Sequence, residues 1–145
     1  MGYLTEIMQN KSTRNYLLSE AGMRGDLPTI FNLLADGANC NARDEEGYAL
    51  VHLAVRHSQV EVLRLLQHLN LPVDWNARDP EGKTAFYIAV GAADHDCLKF
   101  LATHEQVDHN IAAFNGQTPA MYAQQFEETD EFWNILYSIR GLEWP

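Results

Sequence analysis

The stretch Asp44-Glu45-Glu46-Gly47-Tyr48-Ala49-Leu50-Val51-His52-Leu53-Ala54-Val55 returns in altered form as Asp79-Pro80-Glu81-Gly82-Lys83-Thr84-Ala85-Phe86-Tyr87-Ile88-Ala89-Val90. It returns again as Ala113-Phe114-Asn115-Gly116-Gln117-Thr118-Pro119-Ala120-Met121-Tyr122-Ala123. The glycines keep the frame, since Gly47 to Gly82 is 35 residues and Gly82 to Gly116 is 34. A period of this size marks a chain of stacked supersecondary units. An earlier unit lacks the opening but keeps Ala21, Gly25-Asp26, Ile30, Leu33-Leu34 and Gly37-Ala38.

Each copy has a local physical logic. The D-x-x-G or N-G tip reads as a tight turn, where glycine takes positive φ without strain at Cβ. A short helix follows, with Thr84 or Thr118 placed to cap its free N–H groups and Pro119 at the first helical position. Ala54, Ala89 and Ala123 are small and permit close packing of that helix. A second helix carries apolar residues at helical spacing. In the middle unit these are Val62, Leu63, Leu65, Leu66 and Leu69; Ile30, Leu33 and Leu34 precede them, and Cys97, Leu98, Phe100 and Leu101 follow. Gly37 suits a left-handed end to the earliest of these helices. Thr129-Asp130-Glu131 reads as the capped, acidic first turn of a last helix bearing Phe132, Ile135, Leu136 and Ile139 on one face. Asn10 to Leu18 starts the N-terminal cap.

The pattern resembles the ankyrin repeat, whose usual period is about 33 residues with a T-P-L-H start to the first helix. Leu50-Val51-His52-Leu53-Ala54 holds the His and Ala of that start, Thr84-Ala85-Phe86-Tyr87 the Thr, and Thr118-Pro119-Ala120-Met121 the Thr and Pro. The closing G-A-x-x-N is kept at Gly37-Ala38-Asn39-Cys40-Asn41 and degraded at Val73-Asp74-Trp75-Asn76 and Val107-Asp108-His109-Asn110. The resemblance covers residues 15–140. It implies an all-α ankyrin-repeat solenoid of stacked helix-turn-helix units with short β-turn or hairpin tips. The implied division is an extension or cap at 1–14 and repeats at 15–43, 44–78, 79–112 and 113–145, the end units serving as caps. The longer period calls for two extra residues near Leu71-Pro72. By the same resemblance His52 hydrogen-bonds backbone between neighbouring repeats. Asn41, Asn76 and Asn110 stand where such proteins can undergo asparagine hydroxylation, the alternative being that each amide satisfies loop backbone.

Bulk properties narrow the function. With 145 residues, 46% of them hydrophobic and 21% charged, the chain suits one folded domain. Twenty acidic against ten basic residues give a net charge of −10, which disfavours nucleic acid and an anionic membrane surface and favours a basic protein partner. Cys40 and Cys97 form no C-x-x-C pair and fit a reducing, intracellular setting, cytoplasmic or nuclear, or a host cytoplasm for a delivered effector. No apolar run approaches a membrane span, and Met1 to Lys11 does not read as a signal peptide.

No catalytic constellation emerges. Cys97 and His95 are two apart and point to different faces of a helix, while Cys97 reads as core and Cys40 as a loop residue open to solvent. His95, His104 and His109 read as solvated loop or helix-end residues, and no metal-ligand spacing appears. No phosphate-binding or nucleophile motif occurs. The expectation is a non-enzyme without cofactor or metal.

The resemblance selects a concave face and the turn tips as the binding surface. The candidate contacts are Glu45, Glu46 and Tyr48, then Pro80, Glu81 and Lys83, then Phe114, Asn115 and Gln117. Arg56, His57 and Gln124 join them from the ends of first helices, as do Met23, Arg24, Gly91, Ala92 and Gln125. Tyr48 and Phe114 are the aromatic anchors. Arg43 and Arg78 precede two acidic tips and are placed to pair with them. Trp75 reads as half-buried packing; of Phe132 and Trp133 one faces outward, and an exposed aromatic patch there would mark a second contact or dimer face. A monomer is the simplest expectation. The function expected is a protein-protein interaction module. Narrower alternatives are an inhibitor-of-kappa-B-like protein or pathogen effector masking a basic segment of a host regulator, and a regulatory subunit of an enzyme.

Overall fold

A computed structural model describes residues 10–92 and 94–145. Among the described residues the chain forms eight helices: α1 Lys11–Arg24, α2 Leu27–Ala35, α3 Leu50–Arg56, α4 Val60–His68, α5 Ala85–Gly91, α6 His95–Ala102, α7 Pro119–Ala123 and α8 Asp130–Tyr137. The all-α expectation holds; among the described residues the only strand-like pairing is an isolated antiparallel bridge between Arg43 and Ala49 at one tip. The expected extension at 1–14 lies outside the described residues as far as 9, and its remainder enters the first turn of α1.

The chain divides into two compact units, residues 1–74 and 75–145. In the first, α1 packs on α2 and α3, α3 on α4, and α2 on α4. Its core is Leu18, Ala21, Ile30 and Leu33 against Leu50, Ala54, Val62 and Leu66. In the second, α5 packs on α6 and α7, and α6 on α8. Phe86, Ala89, Leu98 and Leu101 meet Ala120, Ala123, Phe132 and Leu136 there, all at most 1% exposed.

The helices begin where the side chains dictate. Asn10, Asp26, Asp94, Thr84, Thr118 and Thr129 each accept a backbone N–H of the first turn that the helix leaves unpaired. Asp26 accepts from both the Thr29 hydroxyl and its N–H, and these bonds hold its carboxyl below the ordinary carboxylate range. α3 has Ala49 where its counterparts have Thr. There the buried His52 takes over, its Nδ1 accepting the Ala49 N–H at 3.0 Å. His52 was expected to bond backbone between neighbouring repeats; the bond formed at its Nδ1 caps its own helix. Gly37, at φ 94°, closes α2 as expected, with the Ala38 N–H returning to the Leu33 carbonyl.

Three asparagines tie each loop to the next. Asn41 donates to the Pro72 carbonyl and accepts the Asp74 N–H, both at 2.8 Å. Asn76 does the same to Gln106 and Asp108 at 2.9 and 2.7 Å, and Asn110 to Gly141 and Glu143 at 2.8 Å each. A planar amide with one donor edge and one acceptor edge fits two consecutive loop groups of opposite sense. The longer period is placed by these bonds. Asn41 follows the end of α2 by six residues, whereas Asn76 and Asn110 follow α4 and α6 by eight.

Three expectations are corrected. Cys40 is buried, and burial raises its thiol pKa. Trp75 is buried outright, its ring 4.3 Å from that of His104 and 5.8 Å from that of Phe100. His104 is therefore a packed residue and not a solvated one; desolvation lowers its pKa, and its Nδ1 accepts the Gln106 N–H. His109 is half-buried, with Nε2 at 2.9 Å from the Leu101 carbonyl oxygen and its ring edge-on to Phe86. His95 is half-buried between the Glu128 and Glu131 carboxylates.

Candidate partner-binding surface

In the first unit the tip is built on one carboxylate. Asp44 Oδ1 accepts the N–H groups of Glu46 and Tyr48 at 3.0 and 2.8 Å, and the Gly47 N–H returns to the Asp44 carbonyl. Gly47 stands at φ 93°, which a side chain would resist. Asp44 is thus spent on the turn, and the charges presented to solvent are Glu45 and Glu46. Arg43 Nη1 donates to the Gly47 carbonyl at 2.9 Å. Tyr48 is half-buried, edge-on to His52, and the Arg56 guanidinium lies 4.2 Å from its ring centroid. Arg56 and His57 are exposed at the end of α3.

These elements enclose a cleft of about 290 Å³. α1 forms one wall, with Tyr16, Glu20 and Met23; the tip supplies Glu45 and Glu46, and α3 supplies Leu53 and Arg56. The expected contacts Glu45, Glu46, Arg56, His57 and Met23 meet in this one place. Tyr16, Ser19 and Glu20 were missed. Their signal was present, since positions 16, 19, 20 and 23 share one face of a helix, but α1 lacks the tip motif that marks the other first helices.

In the second unit the tip at 79–83 repeats the device, Asp79 Oδ1 accepting from Glu81 and Lys83 at 2.9 and 2.8 Å. Asp79 is buried, so the acidic tip proposed from sequence reduces to Glu81, and the Lys83 ammonium sits 3.2 Å from that carboxylate. Pro80 is exposed. The next tip has Ala113 in place of Asp, and Asn115 substitutes by accepting the Gln117 N–H at 2.9 Å. Phe114 is 68% exposed. Its ring lies against Gly82, where an added Cβ would approach it to 2.6 Å, and the Arg78 guanidinium is 5.7 Å from its centroid. Arg78 also donates to the Ala112 carbonyl.

Beside this tip the Tyr87 hydroxyl donates to Gln117 Oε1 at 2.6 Å, and the Tyr87 and Tyr122 rings stack at 4.7 Å and 12°. Burial pushes the Tyr87 phenol pKa up. Gly91 leaves room beneath, since a Cβ there would fall 2.4 Å from the Tyr122 hydroxyl. Gln124 and Gln125 are exposed at the end of α7, while Ala92 is half-buried. The second unit therefore offers aromatic and amide groups where the first offers carboxylates.

Among the described residues no three His, Cys, Asp or Glu side chains are grouped to hold a metal ion. No described helix is long and apolar enough to cross a membrane.

Comparison with known proteins follows the same lines. A family model described as ankyrin repeats (3 copies) matches residues 18–111 and 65–140. The chain is 27% identical over 128 residues to the ankyrin repeat-containing protein P1E11.10 of Schizosaccharomyces pombe, covering 85% of this chain and 57% of that protein. It is 27% identical over 107 residues to Rabankyrin-5 of Homo sapiens, covering 72% of this chain and 9% of that protein. The chain thus spans little more than half the length of one relative and a small part of the other.

Proposed function

Because the chain belongs to the ankyrin-repeat family, whose repeats generally bind other proteins, we propose that it is a non-catalytic module that takes a basic segment of a partner protein into the cleft of its first unit. The observation that carries this reading is the composition of that cleft. Glu20, Asp44, Glu45 and Glu46 line it together with Tyr16 and Met23, and the one guanidinium on its wall, Arg56, lies over the Tyr48 ring. A lysine or arginine side chain has the same division, an aliphatic stem with a charged head, and buries the stem while the head meets carboxylate. The net charge of −10 steers such a partner toward the protein at long range.

The exposed Phe114, whose ring lies against Gly82, is the aromatic contact of the second unit in this reading. The acidic rim favours one narrower role, in which the module masks a basic stretch and so competes with whatever else would read it.

The test is fluorescence anisotropy with a labelled peptide rich in arginine and lysine. Binding should weaken steeply with added salt, and Glu20→Gln/Glu45→Gln/Glu46→Gln should remove most of it. Equal affinity for a neutral peptide of the same length would overturn the proposal.

A further inference from the structure

The aromatic ring beside the acidic cleft already carries a cation from its own chain. His52, fully buried, is fixed at the start of α3 by its bond to the Ala49 N–H. It meets the Tyr48 ring edge-on, with centroids 6.1 Å apart and planes at 72°. Arg56 follows His52 by four residues and so shares its helix face. Helical side chains lean toward the N-terminus, and the Arg56 guanidinium accordingly lies over the Tyr48 ring, 4.2 Å from the centroid. Arg56 also lines the cleft, the one guanidinium among the carboxylates of Glu20, Glu45 and Glu46. Among the described residues it forms no ion pair with any of those three, and Glu45 and Glu46 are exposed. An arginine is bound best by a flat ring for its guanidinium plane and a carboxylate for its charge. In this cleft the ring is taken and the carboxylates are open.

From this division, and resting on the reading of the cleft as a site for a basic segment, we infer that Arg56 is a specificity-determining residue. It holds the guanidinium seat on Tyr48 and so withholds from an incoming arginine the advantage it would have over lysine. The planar, weakly hydrated head of arginine gains from stacking, whereas the compact, strongly hydrated ammonium of lysine depends on carboxylates. With the Tyr48 ring covered, both heads meet the same carboxylates, and the aliphatic stem of either lies along Met23. Tyr16 also lines the cleft and is 64% exposed; it serves wild type and variants alike and cancels when they are compared.

The experiment is fluorescence anisotropy on the full chain at one salt concentration with two labelled peptides of equal length. The basic residues are all arginine in one peptide and all lysine in the other. Arg56→Gln should raise the preference for the arginine peptide over the lysine peptide by about two- to fivefold, the range of one exposed cation–π contact. Arg56→Ala should act alike, and circular dichroism checks the fold of both. Arg64→Gln removes a charge from α4 outside the cleft; it should tighten both peptides equally and leave the ratio at its wild-type value. Adding Tyr48→Leu to Arg56→Gln should return the ratio to that value, because the uncovered ring is gone. A ratio in Arg56→Gln equal to or below that of wild type overturns the inference and leaves the cleft reading standing. A raised ratio that survives Tyr48→Leu also overturns it. Failure of either peptide to bind wild type or Arg56→Gln overturns the inference and the cleft reading together.

Discussion

Replacing Asn76 with alanine isolates what the asparagine bonds contribute. The side chain donates to the Gln106 carbonyl at 2.9 Å and accepts the Asp108 N–H at 2.7 Å, so both ends of the amide are used. An intramolecular hydrogen bond contributes about 0.5–1.5 kcal/mol net, and two lost together amount to about 1–3 kcal/mol. For a chain near 150 residues that is a fall in Tm of roughly 3–10 °C. Asn76→Asp separates the two bonds. It keeps the acceptor for Asp108 but turns an oxygen toward the Gln106 carbonyl, so its loss should be at least that of one bond. Denaturant unfolding monitored by circular dichroism supplies the stability. Hydrogen exchange at the Asp108 amide supplies the local readout, since that N–H loses Asn76 Oδ1 as its acceptor. A stability loss below about 0.3 kcal/mol for Asn76→Ala, with exchange at Asp108 unchanged, would refute the reasoning.

Five other outcomes are expected. Ala54→Leu adds volume at a fully buried position between α3 and its neighbours and should cost about 1–3 kcal/mol, read as a lowered denaturant midpoint. Gly82→Ala should cost at least about 1–2 kcal/mol, because the residue stands at φ 82° and the new Cβ would lie 2.7 Å from the Phe114 backbone nitrogen; an unchanged midpoint would contradict that geometry. Phe114→Ala, at a 68% exposed side chain, should leave stability within about 0.5 kcal/mol while weakening partner binding. Tyr48→Ala should by contrast also lower stability, since it removes the ring that packs on His52 and under Arg56. Finally, burial holds the His104 pKa below its ordinary 6.5, so the unfolded chain binds that proton first. Its contribution to stability is complete above pH 6.5 and falls as pH drops from there toward the lowered folded value, where protonation of Nδ1 would also end acceptance from Gln106. His104→Gln should flatten that part of the stability-versus-pH curve.

The repeat was legible because its glycines, helix starts and apolar positions recur in one frame, and each has a local physical cause. What escaped depended on neighbours in space. Cys40 and His104 look like loop residues in sequence, yet both are buried, the second against Trp75. The acidic tips looked stronger than they are, because nothing local says that Asp44 and Asp79 turn inward to hold N–H groups. α1 hid half of the candidate cleft, since its repeat has no tip motif to set the register. The anchors also divided. Phe114 lies against Gly82, with Arg78 5.7 Å from its ring centroid, and projects, whereas Tyr48 is drawn in by His52 and Arg56.

The cleft of the first unit is tested most directly by hydrogen-exchange mass spectrometry with and without a saturating arginine- and lysine-rich peptide. The account predicts slowed exchange in residues 16–23 and 44–57, the two segments that line the cleft, and little change over α6. Protection confined to α6 and α8, or absent from 44–57 while the peptide is bound, would contradict it.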